Sequence, residues 1–371
     1  MNRFTFSLGI GVLCAATGLI PVLYEPTLQG QTVAPATANG TYQGKNIQSW
    51  IQDLESKQDS AVVQNRTRWY AAYALGQMGP QAASATDALI ARLNEIGEYE
   101  YVRSACAWAL GRIQNPQSIP ALSANLASRL ASVRKECALA LGDFGPQAQS
   151  AIPALKPLLS ETIPLDNAQE NLEEAKPTDS SSDVPDGAES EREPTERARA
   201  AAALWKIAES DSSVANEGKQ TLKSMLLSSS GRNRLAVLAE LKRLPQDFDL
   251  SEYYKPIALL AEKSNNEDVA RESALLLAAK GQLESAEKAL TNDEPLVRMR
   301  GLRLLSFAEQ KPPVEKIVPL AANDTDPTVR AWAVRVLSKA IDNPEAENAI
   351  LKAVDDENPD VKRAARKALK K

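Results

Sequence analysis

The 371-residue sequence predicts an all-α protein in which helix pairs stack into a solenoid. Three observations lead to this prediction. A short motif returns about every thirty-odd residues along almost the whole chain, which is typical of stacked repeat units. Within each copy, apolar and small residues recur at helical spacing. The chain is 43% hydrophobic but only 5% aromatic, a balance that suits helices packed through Ala and Leu.

The repeat is defined by a leucine near the end of each copy, called here the register leucine. Nine leucines fall in this register: Leu75, Leu110, Leu141, Leu204, Leu241, Leu277, Leu305, Leu337 and Leu369. Four positions earlier, every copy has a small or short residue, from Ala71 in the first to Ala365 in the last. Offsets of four, seven and eight lie on one side of a helix, so this side is the predicted stacking face. We expect about nine helix pairs, each an A helix followed by a leucine-bearing B helix.

A cation stands seven positions before the register leucine in eight of the nine repeats. These cations are Arg68, Arg103, Arg134, Arg197, Arg234, Arg298, Arg330 and Lys362. An arginine ladder could bind phosphates, but acids such as Glu98, Asp326 and Asp360 lie nearby in the sequence. Bidentate pairing between arginine and carboxylate suits ties between repeats. We therefore interpret the ladder as structural.

The first residues, 1–38, are predicted to be a signal peptide. Arg3 supplies a positive charge, residues 4–24 are mostly apolar and uncharged, and cleavage is expected after Ala36 or Ala38. This layout predicts export to the periplasm or cell envelope. The alternative is that residues 4–24 remain as a membrane anchor, because they are long enough to span a bilayer.

Residues 161–196 interrupt the repeats. They contain twelve acids against Lys176 and Arg192, together with four prolines. A segment of this composition cannot bury enough apolar surface to become ordered. We predict a disordered acidic loop inserted within one repeat, which divides the solenoid into residues 39–160 and 197–371.

Two motif copies carry a family resemblance: VRSACAWALG at residues 102–111 and VRKECALALG at 133–142, with IPAL at 119–122 and 152–155. They resemble the HEAT repeat of the phycobilisome-lyase-like type, over about residues 44–371. The resemblance implies an armadillo-like α-solenoid of HEAT helix pairs. The family includes chromophore lyases, metal hydroxylases, DNA repair enzymes and adaptors, so no single activity follows from it. Gly44 and Lys45 followed by Trp50, together with the leader, look like exported bacterial HEAT proteins.

The composition argues against an enzyme. The chain has no histidine, which removes the commonest general base, the commonest metal ligand and every nucleophile system that uses histidine. Cys106 and Cys137 occupy the same position of adjacent repeats and are interpreted as buried apolar residues, with a disulfide as the alternative. We predict no catalytic, cofactor-binding or metal-binding residue.

The candidate binding groove is the column two positions before the register leucine, which faces away from the stack. This column is aromatic in the first repeats and basic in the last. With neighbouring positions it supplies the candidate partner-binding residues: Tyr73, Trp108, Arg300, Arg303, Trp332, Arg335 and Lys367. B helices commonly line the concave side of such a solenoid. The alternative is that the aromatic residues pack internally and the cations only solvate the last repeat.

These observations predict a monomeric, non-enzymatic protein–protein interaction scaffold of the bacterial cell envelope, with its partner on the concave face. The partner is expected to be another protein rather than nucleic acid, and membrane contact is expected only through an uncleaved leader. No cofactor is expected. The alternative is an accessory or lyase-like subunit that handles a tetrapyrrole-bearing protein.

Overall fold

The computed structural model describes residues 41–58, 60–160, 192–208, 212–245 and 248–370. The predicted leader and residues 161–191 of the predicted loop lie outside these ranges. Within the ranges, eighteen α-helices follow one another as nine pairs. The predicted all-α solenoid is therefore confirmed.

Odd-numbered helices are the A helices: α1 (Ile47–Glu55), α3 (Thr86–Asn94), α5 (Ile119–Ala124), α7 (Ile152–Leu155), α9 (Ser213–Leu227), α11 (Ser251–Lys263), α13 (Glu284–Ala289), α15 (Val314–Asn323) and α17 (Pro344–Lys352). Even-numbered helices are the B helices: α2 (Ala61–Met78), α4 (Glu100–Ile113), α6 (Ala131–Phe144), α8 (Pro194–Ile207), α10 (Gly231–Arg243), α12 (Glu267–Ala279), α14 (Pro295–Phe307), α16 (Pro327–Leu337) and α18 (Pro359–Ala368). Short 3-10 helices such as Gly79–Ala85 and Gly145–Ala151 link some of them.

A small β-hairpin precedes the first helix and is not foreseen by the sequence pattern. Strands β1 (Thr41–Tyr42) and β2 (Lys45–Asn46) pair antiparallel. The turn residues Gln43 and Gly44 have φ angles of 48° and 78°, the conformation that two-residue hairpin turns require. The Asn46 side chain then accepts a hydrogen bond from the Ser49 N–H at 2.9 Å and caps α1.

The register leucines form the core of the stack. Eight of the nine are buried, and the small residues four positions before them are buried as well. Leu369 is the exception, with 39% of its surface exposed. Helix α18 ends just before Leu369, and the last repeat is buried instead through Val361, Ala365 and Ala368. The predicted role of Leu369 as a core residue is therefore wrong.

Successive B helices pack more closely on one another than successive A helices do. Glycine directly after the register leucine allows this close packing in the first three repeats. A Cβ at Gly111 would lie 2.7 Å from the Cβ of Ala140, and a Cβ at Gly142 would lie 3.1 Å from the Cα of Ala203. The B layer is therefore the main contact layer between successive repeats.

The last residues of the predicted acidic loop belong to the solenoid. Helix α8 begins at Pro194, and both Arg192 and Glu196 are buried. The predicted loop boundary at residue 196 is therefore wrong. Composition marked these residues as part of an acidic segment, whereas Glu196 is held in the core by ion pairs with Arg134 and Arg192.

The two cysteines of the repeats are buried and form no disulfide. Burial raises the pKa of both the Cys106 and the Cys137 thiol well above the ordinary value. Both therefore behave as small apolar core residues, as interpreted from the sequence. Across the described ranges, no helix combines the length and the apolar character that a membrane crossing requires.

Candidate functional site

Three aromatic rings lie side by side on the first two B helices. Trp69 and Tyr73 are one turn apart on α2, and their ring centroids are 5.8 Å apart with an interplanar angle of 14°. The Tyr73 ring stacks on Trp108 of α4, with centroids 5.3 Å apart and an angle of 9°. Tyr73 and Trp108 hold the same repeat position, so stacking of α2 on α4 brings them together. Near-parallel rings at this distance attract one another beyond the effect of burial.

The three rings continue into exposed apolar side chains on the same helix faces. Val62 lies two turns before Trp69 on α2, and Tyr101 lies two turns before Trp108 on α4. The exposed fractions are 78% for Val62, 38% for Trp69 and 51% for Tyr101, while Tyr73 and Trp108 are half-buried. We call Val62, Trp69, Tyr73, Tyr101 and Trp108 the aromatic patch. Exposed aromatic and apolar side chains of this kind on two neighbouring helices are typical of an interaction site.

The N-terminal hairpin supports the aromatic patch from behind. Tyr70 lies edge-on to the buried Trp50, with ring centroids 5.6 Å apart. The Tyr70 hydroxyl donates a hydrogen bond to Oε1 of Gln43 at 2.7 Å. Burial is the main reason that the pKa of Tyr70 is raised. Because Tyr70 also contacts Tyr73, the hairpin and α1 hold the patch in one arrangement.

Gly76 permits the contact between α2 and α4 beneath the patch. A Cβ at this position would lie 2.8 Å from Cε3 of Trp108 and 3.0 Å from the Cα of Ala109. Both distances are shorter than ordinary van der Waals contacts, so only glycine fits without movement of the indole ring. The position of Trp108 in the patch therefore depends on Gly76.

Several arginines of the ladder tie their B helix to the next repeat. Within the described ranges, four of its members pair with acids as follows: Arg68 with Glu98, Arg134 with Glu196, Arg298 with Asp324 and Arg330 with Asp356, with shortest N–O distances between 2.7 and 2.8 Å. Each of these acids belongs to the turn between the A and B helices of the following repeat or to the first turn of its B helix. The structural interpretation of the ladder is confirmed for these four arginines. Of the acids named from the sequence, Glu98 is a partner, whereas Asp326 and Asp360 are not.

A second ion-pair cluster is buried between three consecutive B helices. Arg199 of α8 lies 2.6 Å from Glu136 of α6 and 3.5 Å from Glu240 of α10. All three side chains are at most 4% exposed. Burial alone would lower the pKa of the Arg199 guanidinium, but the two carboxylates outweigh it and raise the pKa above the ordinary value. The cluster explains why an acid, Glu240, stands directly before the register leucine Leu241, where the other repeats have an apolar residue. The charges of the cluster face one another rather than a ligand.

The remaining candidate residues lie at the opposite end of the solenoid. Arg300 is buried, and its Nη2 donates to the Ser264 carbonyl at 2.8 Å. Burial lowers the pKa of Arg300. Arg303 forms an ion pair with Glu267. These two arginines are therefore already engaged within the fold.

The last three candidates are more accessible. The Arg335 guanidinium lies 4.8 Å from the centroid of the half-buried Trp332 ring. Lys367 is exposed on α18. The structure thus brings Tyr73 and Trp108 into one patch and pairs Trp332 with Arg335 at the other end. These two pairs do not contact each other.

Sequence reasoning missed three members of the aromatic patch. Val62, Trp69 and Tyr101 lie outside the column two positions before the register leucine. The signal in the sequence was the seven-residue spacing of Val62 from Trp69 and of Tyr101 from Trp108, which places each pair on one helix face. Among the described residues, no group of three or more His, Cys, Asp or Glu side chains is arranged to hold a metal ion.

The stacked pairs of A and B helices define an α-solenoid repeat protein. A family model of HEAT repeats matches residues 63–130, 86–173 and 314–371. The chain therefore contains HEAT repeats over these residues, as its motif predicted.

The chain has no match among curated proteins. Among solved structures it is similar to the complex of CpcE and CpcF of phycocyanin lyase from Nostoc sp. PCC7120, at 21% identity and a TM-score of 0.43, over 81% of this chain and 95% of that chain. It is similar to human deoxyhypusine hydroxylase in complex with glycerol, at 16% identity and a TM-score of 0.32, over 87% and 94% of the two chains. An engineered protein is similar at 19% identity and a TM-score of 0.33, over 87% and 88%. None of these similarities assigns an activity or a ligand to the chain.

Proposed function

We propose that this protein is a non-enzymatic scaffold of the bacterial cell envelope that binds another protein at the aromatic patch. HEAT repeats form protein-interaction scaffolds, and the inner surface of a solenoid is the usual binding face. The observation that carries the proposal is the exposure of Trp69 and Tyr101 beside the stacked rings of Tyr73 and Trp108.

The chemistry of the patch suits a protein partner. Trp and Tyr dominate the energetic centres of protein interfaces because they bury much area with few rotatable bonds. The stack of Trp69, Tyr73 and Trp108 is held by α2 and α4, so little ordering is required on binding. In this proposal the protein acts as a monomer and contacts no nucleic acid.

The envelope location rests on the leader-like residues 1–38. Export through this segment would place the solenoid in the periplasm or on the envelope, and retention of residues 4–24 would anchor it to a membrane. Both routes expose the B layer to proteins of the same compartment.

The test introduces a photo-crosslinking amino acid at Tyr101 in the full chain. Leu259 of α11 is a matched control site, because it is a 54% exposed apolar residue on an A helix. We expect a discrete crosslinked partner from position 101 and none from position 259. Trp69→Ala should weaken the binding of that partner at least tenfold, because a central aromatic residue contributes about 2 kcal/mol or more to the binding free energy. Equal crosslinking from both positions, or no effect of Trp69→Ala, would contradict the proposal.

A second candidate function is an accessory or lyase-like subunit that handles a tetrapyrrole-bearing protein. The observation that favours it is the near-parallel stack of Trp69, Tyr73 and Trp108, because a planar pigment can extend such a stack by lying against an outer ring. Titration with a tetrapyrrole-bearing protein tests it through visible absorbance. A spectral shift that Trp108→Ala abolishes supports pigment handling, whereas an unchanged spectrum supports the protein scaffold alone.

A further inference from the structure

The last B helix carries a basic surface at the end of the solenoid opposite the aromatic patch. Its cations are Lys362, Arg363, Arg366 and Lys367, and Lys370 follows just beyond its end; all but the half-buried Lys362 are exposed. Together with Pro359 they line a shallow open groove of about 460 Å³. Leu369 lies among them and is 39% exposed. We call these five cations and Leu369 the basic face.

Arg366 occupies a position that is apolar in every earlier repeat. The equivalent residues, three positions before the register leucine, are Ala72, Ala107, Ala138, Ala201, Leu238, Ala274, Leu302 and Val334, and all of them are buried. In α18 the same position is an exposed arginine. The chemistry of this side of α18 therefore suits a polar or charged environment rather than another stacked helix pair.

The cations of the basic face are largely free of protein partners. Within the described part of the chain, Arg366, Lys367 and Lys370 form no ion pair, and Arg363 pairs with Asp360 at 3.2 Å. This contrasts with the arginine ladder, whose acid-paired members are engaged inside the fold. The basic face thus keeps an uncompensated positive charge.

Nearby acids do not cancel this charge. The exposed Asp355 and Glu357 precede α18, and Asp360 lies in its first turn. Asp360 precedes Lys367 by seven positions, which is about 10 Å along a helix. This separation is comparable to the Debye length of about 10 Å at 0.1 M salt, so these acids compensate the C-terminal cations only weakly. Cations near a helix C-terminus also complement the helix dipole, but this effect accounts for neither Arg363 nor the exposed Leu369.

We propose that the basic face binds the surface of an anionic phospholipid membrane. Lipid phosphates form a dense plane of negative charge, and a row of exposed cations along one helix can meet such a plane without a shaped pocket. Leu369 would enter the boundary between headgroups and acyl chains, as apolar residues of interfacial helices do. The exposed apolar side chain within the cationic row is the feature that favours a membrane over a soluble acidic chain.

The proposal is independent of the aromatic patch and of the leader. Vesicle flotation of the full chain tests it, with phosphatidylcholine vesicles that either contain or lack phosphatidylglycerol. Any binding through residues 1–38 appears with both kinds of vesicle, whereas the basic face responds only to the anionic lipid. Trp69→Ala, which tests the proposed protein-binding site, should leave vesicle binding unchanged.

The key variant is the triple change Arg366→Gln, Lys367→Gln and Lys370→Gln. Each cation near an anionic membrane strengthens binding about fivefold, so the triple variant should bind on the order of 100-fold more weakly. The matched control changes one exposed arginine and two exposed lysines of α10 and α11: Arg232→Gln, Lys255→Gln and Lys263→Gln. We expect the control to bind like the wild type, and both variants to keep the wild-type melting temperature.

Two further measurements separate lipid from soluble polyanions. Raising the salt from about 0.1 M to 1 M shortens the Debye length from about 10 Å to 3 Å and should release the protein from the vesicles. Leu369→Asn should weaken vesicle binding but not binding to polyglutamate. Equal binding to both kinds of vesicle, or equal losses in the two triple variants, would overturn the proposal. Displacement by polyglutamate together with no effect of Leu369→Asn would assign the basic face to soluble polyanions instead.

Discussion

Arg134 donates two hydrogen bonds to Glu196, with Nε and Nη2 each 2.8 Å from a carboxylate oxygen. Arg134 lies on α6 and Glu196 on α8, the two B helices on either side of the interruption in the repeats. Glu196 is fully buried, and Arg192 contacts the same carboxylate. This bidentate pair joins the two parts of the solenoid where the chain leaves the repeat pattern.

Glu196→Gln should destabilise the protein by about 3–5 kcal/mol, because it leaves the guanidinium groups of Arg134 and Arg192 buried without their counter-charge. Urea unfolding followed by circular dichroism measures the change. Glu357→Gln is the control, since Glu357 is 88% exposed although it lies 3.4 Å from Arg330. The control should change stability by less than about 1 kcal/mol. Similar effects of the two changes would contradict the role given to Glu196.

Leu141→Ala should cost about 2–5 kcal/mol, because Leu141 is a fully buried register leucine and its loss leaves a cavity. Thermal and urea unfolding provide the measurement. Leu351→Ala removes the same atoms from a side chain that is 50% exposed and should be nearly neutral. If both variants melt like the wild type, the register of the repeats is wrong.

Gly76→Ala should disturb the aromatic patch, because the added Cβ would collide with the Trp108 ring. Overpacking of this kind costs about 1–3 kcal/mol. Near-ultraviolet circular dichroism should show a changed aromatic signal. Gly142→Ala is the matched control, since the atoms nearest to its Cβ would belong to Ala203 and Lys206, at 3.1 Å or more. An unchanged aromatic spectrum for Gly76→Ala would contradict the dependence of Trp108 on Gly76.

The ion pair between Arg330 and Asp356 should make the last repeats sensitive to acid. Hydrogen bonds from Arg330 are the main reason that the pKa of Asp356 is lowered. A lowered pKa in the folded state contributes stability above the unfolded pKa of about 3.9, and this stability is lost as the pH falls through the folded pKa. The melting temperature should therefore decrease when the pH is lowered below about 4.

Asp356→Asn provides the check on that pH dependence. The difference in melting temperature between wild type and Asp356→Asn should be largest near neutral pH and should shrink in acid. A difference that stays constant from neutral to strongly acidic pH would show that Asp356 does not contribute through its charge.

Residues 1–40 should export a reporter that is active only in the periplasm, because they combine a positive start, an apolar stretch and small residues. Activity in the periplasm is the expected result, and deletion of residues 4–24 should abolish it. Reporter that stays in the cytoplasm would contradict export. Reporter held in the membrane fraction would support the uncleaved anchor.

For the candidate site, the sequence placed Tyr73 and Trp108 together because they share a position in adjacent repeats. It missed Trp69 and Tyr101, which reach the same surface from other positions of α2 and α4. It also named Arg300 as a surface residue, whereas the fold directs its guanidinium to the Ser264 carbonyl. A column of equivalent positions predicts which residues are neighbours but not how far each long side chain reaches.

The sequence by itself determined the helix pairs and most of the buried register, because these follow from the 3.6-residue period within each helix. It also indicated the structural role of the arginine ladder, since acids lie near the arginines along the chain. Only the tertiary structure decided which acid each arginine meets, for example Asp324 rather than Asp326 for Arg298. It also decided that Glu240 is tolerated in the core, since Arg199 reaches it from the neighbouring B helix. The physical reason is that such pairings depend on the rotation and spacing between repeats. These are set by close contacts such as that of Gly111 with Ala140, and not by any local period.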